Sequence, residues 1–233
     1  MSEAESNELS SQPNRTLSST ARRVLGVLVE KAKTTPDSYP LSVSGIVTAS
    51  NQKSARNPVM KITEDDALMA LDELRAAGAA REVHGSGRVV KYRHAAYEWF
   101  DIEAAESAII TELLLRGPQT AGELRSRASR MHSFSDLDAV MDVLGILRNK
   151  KLAEPLTPPG RGQVFAHSMY PPNERMHLNA KVEKMGLGEA APIEVTSSAS
   201  SANQDAIDKL IARLDTVTDR IDHLEARLKS LES

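Results

Sequence analysis

There is no cysteine among the 233 residues. Disulfides, cysteine-bound zinc and thiol chemistry are therefore excluded, and the chain suits a reducing compartment. Aromatic residues make up only 3% of it, too few for the stacking platform on which single-strand binders lay successive bases. No apolar run is long enough to span a membrane, and the acidic opening MSEAESNELSSQPNR lacks the apolar stretch of a signal peptide. The expected location is the cytoplasm, with no membrane partner. Signals of catalysis are also missing. The six histidines are scattered without ligand spacing. The turns Gly85-Ser86-Gly87-Arg88 and Gly160-Arg161-Gly162 lack the Lys-Ser/Thr that a phosphate-binding loop places before its helix. The chain reads as non-enzymatic, with no catalytic residue, no metal site and no cofactor.

What is present is periodicity. After a tail over 1–15, expected to be disordered, apolar residues recur at helical spacing: Leu17, Ala21, Val24, Leu25, Leu28, Val29. A second, shorter helix fits Leu41 to Ser50. Thr63 with Asp66 forms an imperfect capping box for a third helix carrying Leu68, Leu71 and Leu74 inward, and Gly78 stops it. Two short extended runs around Gly85-Ser86-Gly87 predict a hairpin. The order then repeats. Ile102 to Arg116 is predicted helical, Thr120 and Glu123 make a capping box, and Ser135 caps a helix with Leu137, Val140, Met141, Leu144 and Leu147 on one face. A last pair of extended runs surrounds a Pro/Gly turn. The expected fold class is mainly α with small β hairpins: a winged-helix domain over 16–97 and a second over 98–170. A flexible linker is expected over 171–204 and a coiled coil over 205–232. The coil seam is Ile207, Leu210, Leu214, Val217, Ile221, Leu224, Leu228 and Leu231. Arginines at g face glutamates at e across a parallel pair, so a parallel homodimer is expected.

The stretches EKAKTTPDSYPLSVSGIVTASNQKSARNPVM and LLLRGPQTAGELRSRASRM, followed by FSDL, resemble the YceH-like family of uncharacterised bacterial proteins over about residues 17–170. The resemblance implies tandem winged helices. It supplies no activity and no site residues.

Function must then come from the residues themselves. Net charge is −3, yet residues 16–97 hold twelve Lys and Arg against eight Asp and Glu. The candidate nucleic-acid contacts are Gln52, Lys53 and Arg56 in the polar loop and Arg81, Arg88, Lys91 and Arg93 on the first hairpin. Against them, the third helix of each half is acidic, with Asp65, Asp66, Asp72 and Glu73 in one and Asp136, Asp138 and Asp142 in the other. A face of carboxylates repels phosphates. Ala139, Val143 and Ile146 form a second apolar face on the last helix, a candidate partner interface. The sequence leans slightly to a DNA-binding transcriptional regulator acting as a coiled-coil dimer. The alternative is a protein–protein interaction module with no direct DNA readout. The loop Asn51 to Asn57 is expected first to hold itself together by hydrogen bonds.

Overall fold

Helix α1 (Ser19–Thr34) starts where the Ser18 hydroxyl accepts from the Ala21 N–H at 3.2 Å. Its whole predicted stripe, from Leu17 to Val29, is buried. Lys31 and Lys33 in its last turn oppose the helix dipole, and Thr35 closes it before Pro36. The computed structural model describes residues 15–84 and 89–184. Along them follow β1 (Leu41–Ser42), α2 (Val43–Ser50), α3 (Glu64–Ala76), β2 (Ala80–Val83) and β3 (Lys91–His94). A short α4 (Ala96–Phe100), not foreseen in the sequence, leads into α5 (Ala104–Arg116). Then come β4 (Gln119–Thr120), α6 (Ala121–Ala128), α7 (Leu137–Asn149), β5 (Ala153–Pro155), β6 (Val164–His167) and α8 (Pro172–Lys184). Among the described residues the fold is mainly helical with two small antiparallel sheets, ordered β1-β3-β2 and β4-β6-β5.

The capping boxes at Thr63/Asp66 and Thr120/Glu123 are both formed. The cap of α7 is one residue later than expected. Asp136 accepts from the Ala139 N–H, while Ser135 donates its hydroxyl to Asp136. The expected linker begins with a helix: α8 follows Pro171 and starts at Pro172, and proline is preorganised for a first helical position. Two ion pairs, Arg22–Glu174 and Arg175–Glu154, fasten it, and Val182 is buried. These fastenings come from residues distant in sequence, so local composition did not announce them. The tail 1–14, Arg88 and the entire seam from Ile207 to Leu231 lie outside the described residues.

The repeat goes deeper than element order. Ala79 N–H bonds to Leu74 C=O and Ala95 N–H to Ala79 C=O; in the second half Leu152 bonds to Leu147 and Ser168 to Leu152. Gly78 ends α3 at φ 80°, and Lys151 sits at φ 55° at the matching place after α7. His94 pairs with Ala80 in one sheet and His167 with Ala153 in the other. Each imidazole Nδ1 accepts the backbone N–H two residues on, from Ala96 and from Met169, both at 3.2 Å. Both are held neutral. Burial, with help from nearby Lys33 and Arg93, brings His94 down to about 4, and complete burial puts His167 well below its ordinary value.

The two halves share one continuous core. Its centre is the packing of α1 on α5, where Gly26 permits close approach. A Cβ at that position would stand 2.9 Å from the Leu115 side chain and 3.3 Å from Leu114 Cβ.

Candidate functional site

The polar loop after α2 resolves into a clamp. The Asn51 carboxamide donates to Ile62 C=O at 2.9 Å and accepts from Ile62 N–H at 2.8 Å, which closes the loop on itself. Arg56 was a nucleic-acid candidate, and the structure overturns that. Its guanidinium is wholly buried against Glu30 of α1, with bonds of 2.5 and 3.1 Å. The other three N–H groups go to Ala49 C=O, Ala55 C=O and Gln52 Oε1. An arginine has five donors, so none remains for a phosphate. Gln52 is half-buried and spends its oxygen on Arg56, whereas Lys53 is exposed.

Glu30 belongs to a larger network. Arg130, from the turn after α6, reaches Glu30 at 2.6 Å and Glu112 of α5 at 2.7 Å, and Arg116 meets Glu112 at 3.1 Å. Both carboxylates are buried, with 1% or less of either side chain exposed. Burial alone would raise the Glu30 carboxyl, but its hydrogen bonds to Arg56 and the charges of Arg56, Arg130 and Lys31 prevail and hold it below the ordinary range. Arg130 is pushed the other way: desolvation opposes its charge, and the two glutamates more than compensate. Arg125 and Arg127 also have local partners, in Ser135 C=O and in Glu123 and Gln119. The basic side of α6 is thus mostly internal bonding.

The first hairpin keeps an exposed basic face. Arg81 and Arg93 are directly opposed across β2 and β3. Lys91 pairs with Val83 two residues along and so projects on the same side, away from buried Tyr92. Arg81 is held by Glu98 at 2.9 Å. Lys91 and Arg93 are exposed and make no ion pair with another described residue.

The third helices differ from their expected stripes. In α3, Ala67, Ala70, Leu71 and Leu74 face the core, while Leu68 is turned out and Met69 is 74% exposed. In α7, Val140, Leu144 and Leu147 are buried, and Leu137 and Met141 are exposed. Of the expected partner face, Ala139 and Val143 pack partly against this chain's own core, which leaves only Ile146 of the three in solvent. The reason is geometric. A stripe drawn at three- and four-residue spacing is wider than the groove α7 fills, so residues at both its edges emerge. Leu68 and Met141 each stand five positions after the N-cap of their helix, and each is 40% exposed. Around them lie exposed Asp65, Asp66 and Asp72 in α3, and Asp138 and Asp142 in α7. Leu137 and Met141 also wall a cleft of about 360 Å³ with Phe165 and the turn Gly160–Gly162.

The match to known proteins coincides with this architecture. A family model described as a protein of unknown function, DUF480, matches residues 17–159, from the start of α1 into the turn between β5 and β6. The chain belongs to the DUF480 family. A UPF0502 protein of Rhodopirellula baltica is 62% identical over 205 residues, covering 86% of each chain. A UPF0502 protein of Citrifermentans bemidjiense is 46% identical over 177 residues, covering 74% of this chain and 82% of its own length. The UPF0502 protein YceH of Salmonella newport is 42% identical over 218 residues, covering 91% and 97%. The resemblance carried by the polar loop and the RGPQTAGEL stretch therefore holds, and it falls on the loop clamp and on the second capping box. Among the described residues, no helix is long and apolar enough to cross a membrane.

Proposed function

We propose that the two halves are winged-helix domains used as protein-binding modules, and that the protein is a non-catalytic adaptor in a bacterial assembly. The observation that carries this reading is the matched pair Leu68 and Met141, apolar and 40% exposed on the outer side of both third helices. A helix that read the major groove would need donors there, because it faces a lattice of phosphates. Here it offers apolar surface within carboxylates, which suits a partner segment carrying apolar anchors flanked by Lys or Arg. The heptad seam from Ile207 to Leu231 supports a parallel homodimer, which would present each surface twice.

The test is a comparison of wild type with the double variant Leu68→Glu, Met141→Glu. A defined partner should be recovered from the native cytoplasm with wild type and lost with the variant, while circular dichroism stays unchanged. Identical partners for both proteins would dispose of the reading.

The exposed face of Arg81, Lys91 and Arg93 favours a second reading, in which the first hairpin contacts duplex DNA through its backbone. Fluorescence anisotropy across a salt series measures it, since each phosphate contact steepens the log–log slope by about 0.9. Replacement of these three residues by Ala should flatten that slope. An unchanged slope would remove the hairpin from any DNA footprint.

A further inference from the structure

At the junction of α1 and α5 the charges do not balance. Five guanidinium groups gather there: Arg22, Arg23, Arg56, Arg116 and Arg130. Three carboxylates answer them: Glu30, Glu112 and Glu174. Arg56 and Arg130 are absorbed by the glutamate network described above. The other three arginines line one cleft of about 380 Å³ with Ser19, Asn57 and Tyr170, and no carboxylate lies in its wall. Arg22 gives one bond to Leu17 C=O, pairs with Glu174 and lies over the Tyr170 ring at 4.8 Å. Arg116 gives its Nε–H to Glu112, an acceptor it shares with Arg130.

Arg23 is the exceptional member. It is 2% exposed and touches only carbonyls, at Ser50, Pro58 and Leu115. The first and last of these are at the C-terminal ends of α2 and α5, where the helix dipole is negative. Its Nε–H has no partner. Desolvation, with repulsion from Arg56, brings this arginine down to about 10, a sign of positive charge without adequate compensation.

We propose that this cleft binds a small organic oxyanion, a phosphate or carboxylate carrying an apolar group. The anionic end sits in the field of Arg22, Arg23 and Arg116, with Asn57 and Ser19 as neutral donors. Beside His167 and Gly117, the rest of the wall is an apolar patch of Pro58, Met60, Leu114 and Pro118, which takes the rest of the ligand. The volume is that of a small-molecule site and exceeds what an inorganic ion fills. Because α1 belongs to one half of the repeat and α5 to the other, the ligand bridges both halves.

The experiment follows arginine Nε–Hε resonances by NMR in the full chain, at constant ionic strength set with sodium chloride. The probes are inorganic phosphate, phenyl phosphate and a short DNA duplex. Phenyl phosphate should shift the Arg22 and Arg116 signals saturably, and bind about ten-fold tighter than inorganic phosphate through burial of its ring. Arg116→Gln should abolish saturation. Asn57→Ala, which touches none of the network carboxylates, should weaken binding without altering the thermal midpoint of the free protein. Shifts that never saturate, or that appear equally at exposed Arg148, would overturn the proposal. So would affinity unchanged in both variants. Duplex DNA moving the cleft signals where phenyl phosphate does not would also overturn it, and would assign the arginines to a nucleic-acid backbone.

Discussion

Glu30→Gln removes one charge and almost no volume, and it should destabilise the fold out of proportion to that change. The Glu30 carboxylate is 1% exposed and accepts from two arginines, Arg56 on both oxygens and Arg130 on one. The Arg56 side chain has no exposed surface, so it cannot recover the loss by turning to water. Breaking a buried pair from one side costs about 3–5 kcal/mol, and the amide oxygen that Gln retains points to the lower end. For a chain of this size that is a fall in Tm of roughly 6–12 °C. Urea unfolding followed by far-UV circular dichroism, with Trp99 fluorescence as a second probe, measures it. The double variant Glu30→Gln, Arg56→Met should lose less than the sum of the two singles, because neither partner is then left charged and alone. A loss in Glu30→Gln below about 1 kcal/mol, the worth of an exposed pair, would refute the claim that this network fastens the loop to α1.

Stability should also fall in acid. His94 is neutral in the fold down to about pH 4 against an ordinary value of 6.5. Between those two pH values the unfolded chain takes up a proton that the folded one refuses, so roughly 3 kcal/mol is lost as pH drops from 6.5 to 4. His167 adds a loss of the same sign starting from the same ordinary value. Glu30, whose folded value is lowered, adds a further loss as pH falls below its ordinary 4.5. Urea midpoints at a series of pH values check this, and His94→Asn, which keeps an acceptor for the Ala96 N–H, should make the upper part of the slope shallower. Lys151→Gly should stabilise by about 0.5–1 kcal/mol, since the left-handed backbone there costs a side chain more than glycine loses in entropy. Gly78→Lys should cost a similar amount, and equal urea midpoints for the two variants would contradict the equivalence of these positions. Gly26→Val should lose about 1–3 kcal/mol by overpacking against Leu115 and Leu114. A neutral result there would mean that α1 and α5 can part without penalty.

Much of the architecture is local and therefore legible. A cap needs only two residues three apart, and Thr63/Asp66 and Thr120/Glu123 both form as read. The stripe of α1 is legible because every apolar residue in it is buried; the helix is enclosed on all sides, with ten consecutive residues from Ala21 to Glu30 out of solvent. The third helices are less legible. Leu68, Leu137 and Met141 obey helical spacing as well as Leu71 or Leu144 do, and only the width of the groove beneath decides which of them reach the core. The sites are least legible, because charge reads differently once partners are known. Arg56 looks like a surface cation in a polar loop, yet its partner is Glu30, twenty-six residues upstream and inside an apolar helix stripe. The one available signal was Glu30 itself, an acid amid Leu28, Val29 and a predicted inward face.

The same distinction explains why the repeat is plain in architecture and faint in sequence. What the two halves share is backbone bonding: the turn after the third helix, the bond that carries the chain into the hairpin, and the imidazole that accepts the N–H two residues beyond the last strand. Such features constrain only a left-handed residue here and an acceptor there, so Gly78 and Lys151 can fill one role and the sequences around them drift apart. The junction between the halves carries no such symmetry. Glu30 and Glu112 face each other from α1 and α5, but Arg56 comes from a loop after α2 and Arg130 from the turn after α6. A wholly apolar junction would bury as much surface at lower electrostatic risk, since desolvating ions opposes their attraction. The charged junction gives register instead, because Arg130 can satisfy both glutamates only when α1 and α5 are aligned along their axes. The arginines left over from that arrangement line the cleft beside it. The excess positive charge is therefore a product of the same packing that joins the two halves, and a ligand there would act on the contact that fixes how both third helices are presented.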